Sequence, residues 1–367
     1  MAKHPLHSLC SYLGGFPPHV PRELLARWVE PAATVLDPFC GGGTTLLEAA
    51  ASGRCSIGFD LNPLAVAISQ AKTQDVMLDD VLFRLNILAG DFPGAIDLAG
   101  VPEEIQIFYH DRTISQLLYL RECLDGTPED VFIRGAVLGI MHGKWRRDGS
   151  SAYLSIDMPN TFSMSPDYVR RFVIKNKLAK RPVDVFSRLR ERVRWLLREG
   201  PAARSCAALV AEADATNLSQ ALERLGRRNV DAILTSPPYL GVLRYGAFNW
   251  LRLWFLDCDA KAVDARLDAT DSLDKYLSFF LSFLIAAAAT LKSGSPLILV
   301  VGDVIEDGQH IELAARVWEE LKGVTPFSLE AMFTDDFDEN GKTTRIWGEE
   351  RRGRATPRDR ILVLRRS

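Results

Sequence analysis

The sequence predicts an α/β fold: a doubly wound, largely parallel sheet interrupted by an inserted α-helical domain. Three observations predict it. Short apolar runs alternate with helical stretches in the first 72 residues and again after about residue 205, the rhythm of βαβ units. Three of the apolar runs end in or beside an aspartate, at Asp37, Asp60 and Asp214, where the strands of such a sheet offer their carboxyl ends to a ligand. Between about residues 75 and 201 the alternation stops and only helical stretches are found.

Taken in order, Pro21 suits the first turn of a helix that runs to Val29 and stops at Pro31. Residues 34–39 (TVLDPF) are a short apolar run before a glycine loop and read as a buried parallel strand. Residues 44–52 (TTLLEAAAS) make a helix stopped by Gly53, residues 55–60 (CSIGFD) a second strand, and Pro63 opens a helix through Lys72. Helical stretches follow at 79–88, 102–123, 128–141, 166–177 and 182–198. Strands resume at 207–213, 230–235, 296–303, 328–333 and 360–364, with helices at 248–255, 273–291 and 311–321 between them. The economical arrangement is one sheet domain of residues 1–75 and 205–367, about seven strands, carrying a helical insertion of residues 76–204.

The composition fits this. The chain has 367 residues, 47% hydrophobic and 25% charged, enough to bury a core without disulfides or metal. The formal charge of −3 hides a split: residues 141–204 hold 15 Lys and Arg against 6 Asp and Glu, a net of +9, which leaves −12 for the rest. Residues 341–367 hold 9 basic and 3 acidic residues, a net of +6, a second basic segment of the kind expected to face a polyanion. No run reaches the roughly 18 uninterrupted apolar residues of a membrane span. The run from Phe279 to Leu291 is broken by Ser282 and Thr290 and reads as a buried helix. The start, Met-Ala-Lys-His-Pro, lacks the apolar core of a signal peptide. Six scattered cysteines without a CxxC pair read as reduced, buried thiols of a cytoplasmic protein. The six histidines show no metal-binding spacing, so no metal is expected.

The loop Asp37-Pro38-Phe39-Cys40-Gly41-Gly42-Gly43-Thr44-Thr45 joins the first strand to the first helix of the sheet. Glycines there let backbone approach a ligand, and the helix start supplies N–H donors. The loop is neither GxGxxG nor a P-loop, which disfavours a nucleotide phosphate. A bare glycine run is as readily a turn, and one strand-tip aspartate is most often a helix cap. Three such acids on one rim favour a ligand crevice.

With Gly58-Phe59-Asp60-Leu61-Asn62-Pro63 and Thr235-Ser236-Pro237-Pro238-Tyr239, the loop resembles the S-adenosylmethionine-dependent amino-methyltransferases, which modify cytosine N4 or adenine N6 of DNA. The resemblance covers about 240 residues and implies their Rossmann-like, doubly wound, seven-stranded methyltransferase sheet. It also implies S-adenosyl-L-methionine as cofactor. Asp37, Pro38, Phe39, Gly41, Gly43, Thr44 and Thr45 would hold its methionine part, Asp60 with Leu61 its ribose, and Asp214 with Ala215 its adenine. Residues 7–18 (HSLCSYLGGFPP) are similar to the segment that closes over the methionine end, with Phe16 the candidate contact.

The tetrad Ser236-Pro237-Pro238-Tyr239 is the candidate catalytic site. Two prolines remove two N–H donors and leave a rigid ridge of acceptors. The Ser236 hydroxyl and the Pro237 carbonyl can take the two hydrogens of an amino group whose lone pair is otherwise delocalised into its ring. Tyr239 offers a face for stacking a base flipped out of the duplex. Within the resembled family, serine at the first position is more frequent in cytosine-N4 enzymes. Carbon-5 chemistry needs a nucleophilic cysteine at this strand end, and Tyr239 stands there instead.

Lys144, Arg146 and Arg147 around Trp145, and Arg170, Arg171 and Lys175 around Phe172, interleave cations with aromatics. Such a surface gains from releasing counterions of phosphate. Arg188, Arg192 and Arg198 fall near one helix face, and Arg244 and Asn249 follow the tetrad within reach of a flipped base. The insertion is therefore the candidate target-recognition domain. The expected function is site-specific methylation of cytosine N4 in double-stranded DNA, with a cognate restriction endonuclease as a partner to look for. Three alternatives stay open: adenine-N6 methylation, tRNA guanine-N2 methylation, and a non-catalytic DNA-binding protein that senses the cofactor.

Overall fold

The computed structural model of the protein describes residues 3–15, 17–160, 162, 164–201, 206–238, 245–267, 272–306, 309–335 and 355–367. Two compact units are formed, and each is built from several pieces of chain.

The first unit comprises Tyr12–Ser69, Ala203–Leu243 and Leu267–Ser367. Its strands are β1 (Thr34–Asp37), β2 (Cys55–Asp60), β3 (Leu209–Glu212), β4 (Ala232–Thr235), β5 (Pro296–Glu306), β6 (Gln309–Ile311), β7 (Phe327–Asp335) and β8 (Ala355–Arg366). Seven lie in the order β3-β2-β1-β4-β5-β8-β7, and the short β6 pairs with β5 off that path. β3 through β5 pair in parallel; β8 runs antiparallel to both β5 and β7. The expected doubly wound sheet is therefore present, with β6 as an addition.

Alternation along the strands makes the sheet two-sided. Leu36, Ile57, Ile233, Leu297 and Leu299 pack one face against the helices Leu218–Arg224, Leu273–Thr290 and Leu313–Leu321. Val35, Ala232, Leu234, Ile298 and Val300 pack the other against His19–Trp28 and Thr44–Ala51. Chain order reverses between β1 and β4, so the crevice beyond their carboxyl ends is the place a ligand is expected in such a sheet. Leu273–Thr290 is long and apolar enough to cross a membrane by length and composition, but Phe280, Phe283, Leu284 and Ala287 lie in the core beneath the sheet.

Two expectations about this unit change. The residues from Ala355 onward are not a DNA-lining tail: β8 is an interior strand, its Arg360 bonded to Asp303 and its Arg365 to Glu330. The remainder of that expected basic tail, 341–354, lies outside the described residues. Cys55 and Cys206 form a disulfide with Cα atoms 5.5 Å apart, rather than two reduced thiols. The β2–β3 register pairs Ile57 with Leu209, which brings Cys55 at the start of β2 beside Cys206 just before β3, despite a sequence separation of 151.

The second unit comprises Met1–Ser11, Gln70–Ala202 and Arg244–Arg266. Its described residues are helical, without strands, as the loss of alternation predicts. The expected helix over 102–123 is two, Glu103–Phe108 and Asp111–Cys123, because Tyr109 is extended and His110 caps the second. The helix expected from Pro182 starts at Val185, where the Asp184 carboxylate accepts the Ser187 N–H. Two segments that pattern alone places with the sheet domain pack here instead. The N-terminal turn is drawn in by helix Pro128–Ile140, whose Gly139 meets the backbone of Leu9 so closely that a Cβ would sit 1.8 Å from its carbonyl oxygen. The Trp250–Phe255 helix is anchored by Arg252, which is fully buried and donates to the Leu138 carbonyl at 3.0 Å, Asn249 Oδ1 at 2.8 Å and Ser11 Oγ at 3.0 Å.

Candidate cofactor and catalytic site

β1 ends at Asp37, and the glycine loop leads into the helix Thr44–Ala51. Gly41 and Gly43 both adopt the left-handed region, at φ +47° and +70°. Gly43 has a second reason to be glycine, since a Cβ there would lie 2.7 Å from Ser69 Oγ and 3.1 Å from Ser69 Cα. The loop is held from below by β2. Asp60 Oδ2 accepts the Gly41 N–H at 2.9 Å, the Cys40 N–H donates to the Phe59 carbonyl at 2.9 Å, and Ser69 Oγ donates to the Gly41 carbonyl at 2.8 Å. Asp60 Oδ1 accepts the Asn62 N–H at 2.9 Å. Each carboxylate oxygen of Asp60 thus spends one lone pair on backbone and keeps another for a hydroxyl.

Burial pushes the Asp60 carboxyl up to about 6, against the pull of the Asn62 and Gly41 N–H groups, and the nearby charges of Asp37 and Glu212 add to the rise. Asp37 is 3% exposed and is also pushed up to about 6 by burial, while its bond from Thr235 opposes the shift. Thr235 Oγ1 donates to Asp37 Oδ1 at 2.5 Å, and the Phe39 N–H donates to the same oxygen at 3.2 Å. This bond ties the end of β1 to the end of β4, from which Ser236, Pro237 and Pro238 continue: Ser236 half-buried, Pro237 buried, Pro238 exposed.

The structure therefore brings Asp37, Gly41, Gly43, Thr44, Asp60 and the Ser236–Pro238 ridge to one rim of one unit. Several other expected residues, Pro38, Phe39, Thr45 and Ala215, are buried or packed against the core. Pro38 and Thr45 are buried, and Phe39 turns its ring onto Phe279 and Phe283 at 5.8 and 5.2 Å. Leu61 is half-buried beside Asp60. Asp214 caps the turn Ala215–Asn217, its Oδ1 accepting from Thr216 N and Oγ1 at 2.8 Å each, and Ala215 packs into the core. Cys40 is buried, its thiol held well above the usual range by that burial, so it is a packing residue and no nucleophile. Phe16, Tyr239 and Arg244 lie outside the described residues.

Tyr12 is the residue that sequence reasoning passes over. Its ring carbons stand 3.1 and 3.3 Å from where a Cβ on Gly41 would be, and its hydroxyl accepts from Asn62 Nδ2 at 3.1 Å. The available signal is its position inside the 7–18 stretch, where an aromatic four residues from Phe16 is an equal candidate.

In the helical unit, Lys144, Arg146 and Arg147 are exposed on the loop after helix Pro128–Ile140. Trp145 pins that loop, donating its indole N–H to the Ser155 carbonyl at 3.1 Å and its backbone N–H to Asp157 at 2.7 Å, with the Arg181 guanidinium 4.7 Å over the ring. Arg171 and Lys175 are exposed on helix Pro166–Asn176, whereas Arg170 is paired with Glu103 at 3.3 Å and Asp167 at 3.5 Å. Arg192 and Asn249 leave the set of expected nucleic-acid contacts. Arg192 turns inward to the Ser8 and Leu9 carbonyls, and Asn249 is fully buried, donating to the Tyr245 carbonyl at 2.9 Å. Among the described residues no group of three or more His, Cys, Asp and Glu is placed to hold a metal ion.

Residues 8–71, from the N-terminal turn to the helix after β2, match the model of a family described as DNA methylase. A curated relative, the Type II methyltransferase M.MjaII of Methanocaldococcus jannaschii, is 36% identical over 72 residues, which is 20% of this chain and 13% of that protein. The chain thus aligns with about an eighth of that relative's length. The resemblance read from the loop motifs holds in this segment. Among solved structures, TrmN from Thermus thermophilus is 13% identical, with 99% of this chain and 52% of that one covered and a TM-score of 0.37. The rRNA methyltransferase aviRa from Streptomyces viridochromogenes is 15% identical, with 98% and 91% covered and a TM-score of 0.37. These are loose overall likenesses.

Proposed function

We propose that this protein is an S-adenosylmethionine-dependent methyltransferase acting on the exocyclic N4 of a flipped cytosine in double-stranded DNA. The observation that carries the reading is the Thr235–Asp37 bond. It couples a loop of the DNA methylase type to a Ser-Pro-Pro ridge at the reversal point of the sheet.

The residues fit the cofactor. Asp60 presents one lone pair on each of two fixed oxygens, the acceptor set for a pair of neighbouring hydroxyls. The left-handed glycines leave the loop without side chains at Gly41 and Gly43, beside a helix start with no side-chain cap, which suits the polar end of an amino acid. When bound, the cofactor supplies a methyl group on a positively charged sulfur. The chain's own part is placement and polarisation. Ser236 and the Pro237 carbonyl accept the hydrogens of the target amino group, which makes its nitrogen more tetrahedral and a better nucleophile. Holding the two partners in line is worth up to ~7–11 kcal/mol.

In this reading the helical unit meets DNA through Lys144, Arg146, Arg147, Arg171 and Lys175, whose exposure supports a phosphate-contacting surface. Arg170, Arg244 and Tyr239 complete the proposed set, and a cognate endonuclease is the partner to seek. The test is to incubate the full chain with methyl-labelled cofactor and duplex DNA, digest to nucleosides and identify the labelled base by mass. N4-methylcytosine is the expected product. N6-methyladenine would move the substrate to the neighbouring base class, and label in RNA alone would overturn the DNA reading.

A further inference from the structure

β5 continues past Leu299, the residue it pairs with Thr235, and runs on to Glu306. Its last residues therefore rise beyond the sheet on the same side as Ser236–Pro238. There β5 is flanked by β8, with Gly302 opposite Asp359, and turns back through β6, with Ile305 opposite His310. Three elements thus gather ionisable side chains. Asp303 is fully buried and takes Arg360 Nε on both oxygens, at 2.9 and 3.1 Å. His310 Nε2 lies 3.2 Å from Asp303 Oδ2, and its side chain is 43% exposed. Arg360 also pairs with Glu312 just after β6, and Asp359 is buried next to Arg360 on β8.

The series Glu312–Arg360–Asp303–His310 has an interior carboxylate and an exposed imidazole end. An ionised carboxylate only accepts hydrogen bonds. His310 Nε2 must therefore carry the proton in the neutral ring, which leaves Nδ1 with a lone pair. A buried carboxylate behind an imidazole fixes its tautomer and steadies the imidazolium once it forms. Nothing in the Ser-Pro-Pro ridge can keep a proton, because a hydroxyl and a carbonyl are too weakly basic.

We propose that His310 accepts the proton released by the target amino group, with Asp303 as its positioning residue; this rests on the methyltransferase reading above. The balance is simple. The nitrogen lone pair forms the N–CH3 bond as the sulfur–CH3 bond breaks, the positive charge passes to nitrogen, and one N–H proton moves to His310 Nδ1. The product is a neutral methylated amine beside an imidazolium paired with Asp303.

Two measurements on the full chain test it. First, single-turnover methyl transfer of the His310→Gln variant is followed from pH 5.5 to 8.5. With cofactor saturating at every pH, a loss of about 10²-fold is expected, the scale of a general base, and any dependence of the unaltered chain's rate on pH should be absent in the variant. Cofactor affinity should change by less than about twofold, as the Asp60 region is untouched. Second, 15N NMR of the ring should find His310 in the Nε2–H tautomer. Unchanged rate and pH profile in the variant, or an Nδ1–H tautomer, overturns the proposal. No methyl transfer to any nucleic acid by the unaltered chain defeats the parent reading, and this one with it.

Discussion

The hydroxyl of Thr235 donates to the buried carboxyl of Asp37 at 2.5 Å across 198 residues of sequence. That one bond closes the gap between the strand that starts the glycine loop and the strand that ends in Ser-Pro-Pro. Replacing Thr235 with Val keeps the shape and removes the shorter of the two bonds to Asp37 Oδ1, on a residue that is 3% exposed. We expect Thr235→Val to cost about 1–3 kcal/mol, read as a lower Tm. Cofactor affinity measured by calorimetry should fall with it, because the loop loses its brace. Unchanged affinity would detach this bond from the site.

The two raised carboxyls give opposite pH dependences for stability and for binding. The Asp37 carboxyl rises from 3.8 to about 6 in the fold, so the folded chain holds that proton more tightly than the unfolded one. Its stabilising contribution is complete below pH 3.8 and is lost as pH rises through about 6; Asp60 shifts the same way. For Asp37 this amounts to about 3 kcal/mol at most. Ligand-free stability from these groups should therefore fall as pH rises from 3.8 through about 6, read by denaturant titration.

Cofactor affinity should do the reverse, since an ionised Asp60 is the better acceptor for hydroxyls. The dissociation constant is expected to tighten as pH rises through about 6. In Asp60→Asn that dependence should disappear, and binding at neutral pH should weaken by roughly 10- to 100-fold, the value of a charge-assisted bond.

Gly43→Ala combines a left-handed φ of +70° with a Cβ 2.7 Å from Ser69 Oγ. The conformation alone costs about 1–2 kcal/mol, and Ser69 cannot move without releasing the Gly41 carbonyl that it binds. A clear drop in Tm is expected. Gly226→Ala, also left-handed at φ +68° but with open space around it, should show the smaller loss that comes from strain alone.

Lys144→Ala, Arg146→Ala and Arg147→Ala combined should weaken duplex DNA binding and reduce the slope of log affinity against log salt by up to about 3, roughly 0.9 for each phosphate no longer neutralised. Folding should be unaffected, because all three residues are at the surface of their loop. An unaltered salt slope would place the DNA surface elsewhere.

Much of the sheet is legible in the sequence because its signals are local. β2 has its expected bounds, since CSIGFD is apolar, short and stopped by an acid. The glycine loop is legible for the same reason: a left-handed turn needs glycine wherever it occurs. The stretch 102–123 reads as one helix because the pattern hardly changes at Tyr109–His110, where an extended residue and a capping side chain divide it. Arg192 looks in sequence like surface for a polyanion, yet it is turned into the fold by the Ser8 and Leu9 carbonyls, which the sequence does not place beside it. Tyr12 escapes notice because its role depends on the ring meeting Gly41, a residue well separated from it in the chain.

Pattern and composition alone thus carry the class of fold, the strand-tip acids, the loop chemistry and the concentration of positive charge in the helical insertion. Each is a property of neighbouring residues, and period, turn preference and charge are visible without knowing what packs where. Packing decides which of those residues work on the ligand rim and which serve the core. It brings Thr235 to Asp37, Tyr12 to Gly41, Cys206 to Cys55 and His310 to Asp303. The physical reason is that a hydrogen bond or close contact is fixed by distance in space, and strand order, not chain order, sets that distance: β1 lies beside β4, and β5 beside β8.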